Sequence, residues 1–270
     1  MSKINSLYKW CLSLTFLCSV THLCAAECPL PDDKYTYRLP EPDNLPIPPI
    51  PQRPLPLRSA SIRTFSQRRG LIFGIDVSRY QEQINWQMVA TDPNVQFVYI
   101  KATESSGHVD KYYQRNLSEA RRFGIPVGAY HFFSPTASVS TQLKNFTDQF
   151  KLKYHDLIPV VDVERRGRVS SASFHRRLTE FLKQIERIYG IRPIIYTGVN
   201  FYNEHLAGRY TQYKFWVARY ADQPPKLVDG TPVVLWQFTC NGYVNGVKGE
   251  VDRNCFLDQF TLQDILLPRK

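Results

Sequence analysis

Four acids in this chain fall where carboxyl chemistry could be concentrated. Asp76 closes the run GIDVS, Asp162 and Glu164 close IPVVDVE, and Asp252 lies late in the chain in GEVDRN. The first two runs read as strands, and side chains alternate across a strand, so Asp162 and Glu164 point the same way. Two strand steps span ~6.6 Å at ~3.3 Å each. Two buried acids that close cannot both ionise cheaply, so one keeps its proton near neutral pH. A protonated acid beside ionised partners is the equipment for cutting a glycosidic bond. The plainer alternative is that each acid caps a helix or fixes a turn. Four acids at strand ends, two of them on one face after an apolar run, favour a site.

Aromatic residues cluster at the same places. Tyr130, His131, Phe132 and Phe133 end one apolar run, and Tyr196 ends another. Trp216 and Tyr220 lie on the next, followed by Trp236 and Gln237. Flat rings pack on sugar faces, and Tyr or Gln can bond hydroxyls and amides. Tyr130 and Trp216 are expected to face a substrate, with Tyr196 and Gln237 beside them. Phe132, Trp236 and Phe238 can instead fill a core.

Elements that would carry these residues are legible from periodicity. Strand-like runs cover 71–78, 96–103, 125–133, 158–164, 192–198, 214–220 and 232–239. Helical patterns fall at 116–123, 138–150 and 172–189, and the last repeats Phe174, Leu178, Phe181, Leu182, Ile185 and Ile188 at helical intervals. Ser170 or Ser171 could cap it. Strands alternating with helices argue for a parallel sheet wrapped by helices. The expectation is an α/β fold, an irregular TIM-like β/α barrel with β/α units first and a β-rich C-terminal end. Residues 258–267 could close the chain as a helix. In a barrel, strand C-termini share one face, so acids distant in sequence converge there.

The chain has 270 residues and a net charge of +10. Residues 1–26 read as a signal peptide: Lys3 and Lys9, a short apolar run, then Cys24-Ala25-Ala26. Left uncleaved, they could serve as a membrane anchor. Their removal takes the charge to +8, which suits an anionic partner or simply a well-solvated surface. Residues 27–69 are proline-rich and read as an extended linker, leaving 70–270 as the catalytic domain. Three of the six cysteines, Cys28, Cys240 and Cys255, would remain, and Cys240 could pair with Cys255 if the chain doubles back. No CxxC occurs and the histidines are scattered, which argues against structural zinc.

From Gly74 to Phe260 the chain resembles glycoside hydrolase family 25, the lysozymes often called the Chalaropsis type. The likeness rests on ordered blocks: GIDVSRYQEQINW, FVYIKATES, GAYHFF, PVVDVE, IIYTG, FWVARY, LWQFT and GEVDRNCF. It implies hydrolysis of the β-1,4 bond from N-acetylmuramic acid to N-acetylglucosamine in peptidoglycan. It assigns Glu164 as the general acid and Asp162 as the carboxylate that positions a substrate acetamido group. Asp76 and Asp252 match the other acids of the site, and Tyr130 and Gln237 match substrate contacts. The implied partner is a peptidoglycan glycan strand, met by an exported monomer with no metal, cofactor or nucleic acid. One departure stands out: similar enzymes carry Lys-Ala-Thr-Glu-Gly, whereas here Glu104 is followed by Ser105, Ser106 and Gly107. A non-catalytic wall-binding protein and a chitinase-like glycosidase are the rival readings.

Overall fold

The computed structural model describes residues 72–257 and 260–268. The signal and linker segments expected at 1–26 and 27–69 lie outside the described residues. The domain is a closed, eight-stranded mixed barrel with helices packed outside it. Its strands are β1 (Phe73–Val77), β2 (Val98–Glu104), β4 (Val127–Phe132), β5 (Val160–Asp162), β6 (Ile194–Gly198), β7 (Lys214–Ala218), β8 (Val233–Gly242) and β9 (Val251–Phe256). A two-residue strand, β3 (His108–Val109), folds back on the end of β2. Neighbours from β1 through β2 and β4 to β8 run parallel, and β9 closes the ring antiparallel to both β8 and β1.

Alternation along the strands sorts the core into two layers. Inward residues such as Phe97, Tyr99, Val160, Ile194, Trp216 and Phe256 fill the barrel, while Ile75, Ile100, Val161, Ile195, Phe215 and Val217 face the helices. Burial on both sides is what makes these strands read as continuous apolar runs. Two glycines admit the large rings. A Cβ on Gly128 would lie 2.2 Å from the Tyr99 ring, and one on Gly74 would lie 2.4 Å from the Phe97 ring.

Outside lie α1 (Trp86–Val89), α2 (Tyr113–Arg122), α3 (Val139–Gln149) and α4 (Ser171–Tyr189). In α4, Phe174, Leu178, Phe181, Leu182 and Ile185 form the buried stripe. Ile188 falls off that stripe and is exposed. The Ser170 side chain caps the start by accepting the Ser173 N–H at 3.2 Å, and Gly190 ends the helix at φ +69°. Among the described residues no helix is long and apolar enough to cross a membrane.

Three expectations need correction. The helix expected over 258–267 reduces, in its described part, to a single 3-10 turn at Leu262–Ile265. Its backbone is used elsewhere: Leu266 bridges to Leu157, and Ile158 N–H donates to Ile265 O at 2.8 Å, so this tail seals the barrel floor. The strand β9 was not anticipated. Cys240 and Cys255 form no disulfide. The chain does double back, but the register sets Cys255 against Trp236 and Arg253 against Thr239, leaving Cys240 beyond reach of its intended partner.

Candidate active site

The barrel mouth collects the acids from three strands. Asp76 is near the end of β1, Asp162 ends β5, and Glu164 follows two residues later. Because β9 runs the other way, its second residue, Asp252, reaches the same mouth and pairs in register with Asp76. Lys101, Tyr130, Tyr196 and Gln237 enter from β2, β4, β6 and β8.

Asp76 is buried and held by two amides. Its Oδ2 accepts from Gln237 Nε2 at 2.9 Å and from Asn254 Nδ2 at 2.8 Å. Both amides are oriented from behind. Tyr196 and Tyr220 each donate a hydroxyl to Gln237 Oε1 at 2.8 Å, and Trp216 Nε1 donates to Asn254 Oδ1 at 2.9 Å. Burial lifts the Asp76 carboxyl to about 6; the two amides oppose the rise and the Glu164 charge adds to it. Asp252 rises further, to about 9, through burial and then the charges of Asp76 and Glu164. The hydrogen bond opposing that rise comes from its own backbone N–H.

Asp162 and Glu164 lie two residues apart on the same side of the chain and share a side-chain hydrogen bond. Burial pushes both above their ordinary values; the Glu164 charge and the shared hydrogen bond raise Asp162 further, while that same hydrogen bond pulls Glu164 back down. Such a pair holds one proton between two groups. Asp162 Oδ1 is buried and has no hydrogen-bond partner within the protein. An acceptor left bare in a buried place is an open position for a ligand N–H or O–H.

Beside this pair stands a cationic arm. Lys101 Nζ contacts Glu104 Oε2 at 2.7 Å, and Arg165 reaches Glu104 Oε1 at 3.7 Å. Both cations lie over the Phe132 ring, at 5.0 and 4.7 Å from its centroid. Burial alone would raise Glu104, but the charge and hydrogen bond of Lys101, with His108 and Arg165, hold it below its usual range.

Not every residue singled out from the sequence meets the opening. Tyr130 and Tyr196 are half-buried in the wall of the mouth. Gln237 is buried with both ends of its amide engaged inside the protein, so it orients Asp76 and the tyrosines. Trp216, expected to face substrate, is 1% exposed and packs between Tyr99 and Tyr196 at 5.2 and 4.8 Å. It lies under the acids and supports them through Asn254. Sequence reasoning missed Asn254 and Lys101 as members of this site and named Tyr220 only among the clustered aromatics, without a role. Asn254 sits two residues from Asp252 and Lys101 two from Tyr99, so strand alternation was the available signal. Among the described residues, no cluster of His, Cys, Asp or Glu is arranged to hold a metal ion. The arrangement offers a proton donor, a bare acceptor beside it, and further carboxyls facing the same space.

Comparison with known proteins gives the family of the chain. The family model described as Glycosyl hydrolases family 25 matches residues 75–247. The uncharacterized protein YegX of Escherichia coli (strain K12) is 41% identical over 205 residues, covering 74% of each chain. Lysozyme M1 of Streptomyces globisporus is 32% identical over 197 residues, covering 68% of this chain and 67% of its own. Among solved structures, a family 25 glycosyl hydrolase from Bacillus anthracis superposes with a TM-score of 0.64 at 31% identity, over 70% of this chain and 89% of that one. A bacterial lysozyme from Streptomyces coelicolor gives 0.65 at 29% identity, over 73% and 96%.

Proposed function

Since the chain belongs to glycosyl hydrolases family 25 and is a glycoside hydrolase, we propose that it cleaves the β-1,4 bond from N-acetylmuramic acid to N-acetylglucosamine in peptidoglycan. Peptidoglycan as substrate is supported by the relatives named as lysozymes. Glu164 is the general acid and Asp162 the assisting carboxylate. The observation that carries this assignment is the pairing of a shared proton with the bare Asp162 Oδ1.

In the reaction, Glu164 gives its proton to the leaving oxygen as the bond to the anomeric carbon breaks. The substrate's own acetamido oxygen bonds to that carbon while its N–H donates to Asp162, whose negative charge offsets the positive charge developing on the ring that forms. Water then attacks the same carbon, losing its proton to Glu164, and the acetamido group is restored. The ionised fraction of Asp76 adds negative potential to the mouth. Asp252, held neutral by its surroundings, serves as a hydrogen-bonding group at neutral pH. Tyr130 and Tyr196 contact the sugar. The protein acts as an exported monomer on glycan strands.

Release of reducing ends from purified peptidoglycan, with mass spectrometry of the products, tests this reading for the wild type and Glu164→Gln. Muramic acid at the new reducing ends, lost in the variant, is the expected result. Wall binding without release would favour a binding protein, and activity on chitin alone would favour a chitinase-like enzyme. Product NMR showing inverted configuration would eliminate the acetamido step.

A further inference from the structure

Six carboxyl groups gather at or beside the mouth: Asp76, Glu104, Asp110, Asp162, Glu164 and Asp252. One ammonium is buried with them. Lys101 is 9% exposed, and burying a charge is costly unless it is paired. Glu104 pairs it at 2.7 Å. That contact does not explain why a cation is built into the barrel wall, because a surface position would have served the same ion pair.

Its place in the sheet supplies a reason. In the sheet β4 lies between β2 and β5, and the register sets Lys101 beside Tyr130 and Phe132 beside Asp162. Phe132 is also the ring over which the ammonium sits. Lys101 thus lies across β4 from β5, level with Val160, and its ammonium reaches over the Phe132 ring that neighbours Asp162. We propose that Lys101 is a positioning residue that stabilises the single negative charge carried by the Asp162–Glu164 pair, so that the pair holds one proton and one charge. This rests on the catalytic reading above.

Depth sets the strength of this effect at each acid. Asp162 is 5% exposed while Glu164 is only half-buried. A charge acts more strongly where less water screens it. Lys101 accordingly opposes the burial of Asp162, and at Glu164 it shares that effect with the more exposed Arg165. The other groups around Lys101 are accounted for. Glu104, His108 and Asp110 face it from the β2–β3 hairpin and the turn that follows, Tyr130 from β4, and His131 stands on the far side of β4. Arg79, bound to His108 at 2.7 Å, adds positive charge from the β1 side. Asp76, Asp252 and Tyr196 complete the ring around the acids.

The test compares wild type, Lys101→Met and Lys101→Arg by pH profiles of kcat/KM on soluble glycan fragments, with carboxyl 13C NMR titration of Asp162 and Glu164. Removing the cation should move both limbs of the profile to higher pH by about one unit. Activity on the acid side should drop ~10-fold, which is that shift of one unit read as a rate. Lys101→Arg should keep the wild-type limbs. Glu104→Gln, which leaves the ammonium in place without its partner, should move both titrations down and covers the case where Lys101→Met fails to fold. Folded Lys101→Met with unmoved titrations overturns the proposal, as does lost activity with unmoved limbs. A wild type inactive on peptidoglycan sinks the catalytic reading, while the NMR titrations still decide the role of Lys101.

Discussion

Asp76 and Asp252 stand opposite each other across the β1–β9 pairing, yet the side-chain amides of Gln237 and Asn254 both go to Asp76. Facing acids repel, and only the one with donors can carry charge cheaply. The consequence is a stability that depends on pH. A carboxyl raised by folding contributes stability that is present below its unfolded value and lost as pH climbs through the folded value. Asp252 moves from 3.8 to about 9, so its contribution falls away across that window. Calorimetry should show the wild-type Tm declining from pH 5 to pH 9. Asp252→Asn should flatten the decline without abolishing it, because Asp76, Asp162 and Glu164 shift in the same direction. An unchanged slope would mean Asp252 ionises freely.

Single amide substitutions at the reacting pair should separate their roles. Glu164→Gln removes the proton donor and should lower kcat by ~10²–10⁴-fold. Asp162→Asn keeps the shape and loses the charge, so kcat should fall while KM changes little. Steady-state kinetics on one defined glycan fragment reads both. A Glu164→Gln enzyme with wild-type kcat would move the acid role elsewhere.

Trp216→Phe tests support from below. The change leaves Asn254 Oδ1 without its indole donor in a buried place, which should destabilise by about 1–3 kcal/mol. Because Trp216 touches no open space, KM should stay near the wild-type value. Denaturant unfolding beside substrate titration checks both statements. A large rise in KM with intact stability would restore the substrate-facing assignment.

The two tyrosines on Gln237 back each other up. Tyr196→Phe or Tyr220→Phe alone removes one of two bonds to Oε1 and should cost about 0.5–1.5 kcal/mol. The double variant leaves the amide free to flip and to turn its oxygen toward Asp76. Its loss of activity should exceed the sum of the single effects, as a double-mutant cycle would measure.

Gly128→Ala probes the tight interior. The new methyl would meet the Tyr99 ring at 2.2 Å and Leu157 Cβ at 2.9 Å. Overpacking of this kind costs about 1–3 kcal/mol. A Tm equal to wild type would show that Tyr99 has room to move.

Most of the barrel was legible because its strands are apolar on both faces, one toward the interior and one toward the helices. β9 escaped for the opposite reason. Its inward positions Asp252 and Asn254 belong to the site, so VDRNCF lacks the apolar run that marks its neighbours. The acids were visible as breaks at the ends of hydrophobic runs, whereas Lys101 interrupts such a run from within and reads as a solvent-facing position. Trp216 shows a further limit. Alternation tells which way a side chain points, but how deep it sits depends on the stagger of strands around the barrel, and that is a property of the closed ring.

The seam of the ring joins its first and last strands. Asp76 therefore meets Asp252 and Asn254 only after nearly the whole domain has been synthesised. Until β9 docks, Asp76 lacks one of its two amide supports and the mouth lacks one wall. A nascent or clipped chain that ends before residue 251 would carry the Asp162–Glu164 pair in an unsealed sheet, open to water. Docking of β9 and assembly of the full set of acids thus coincide, which ties a complete mouth to a chain that runs through residue 256.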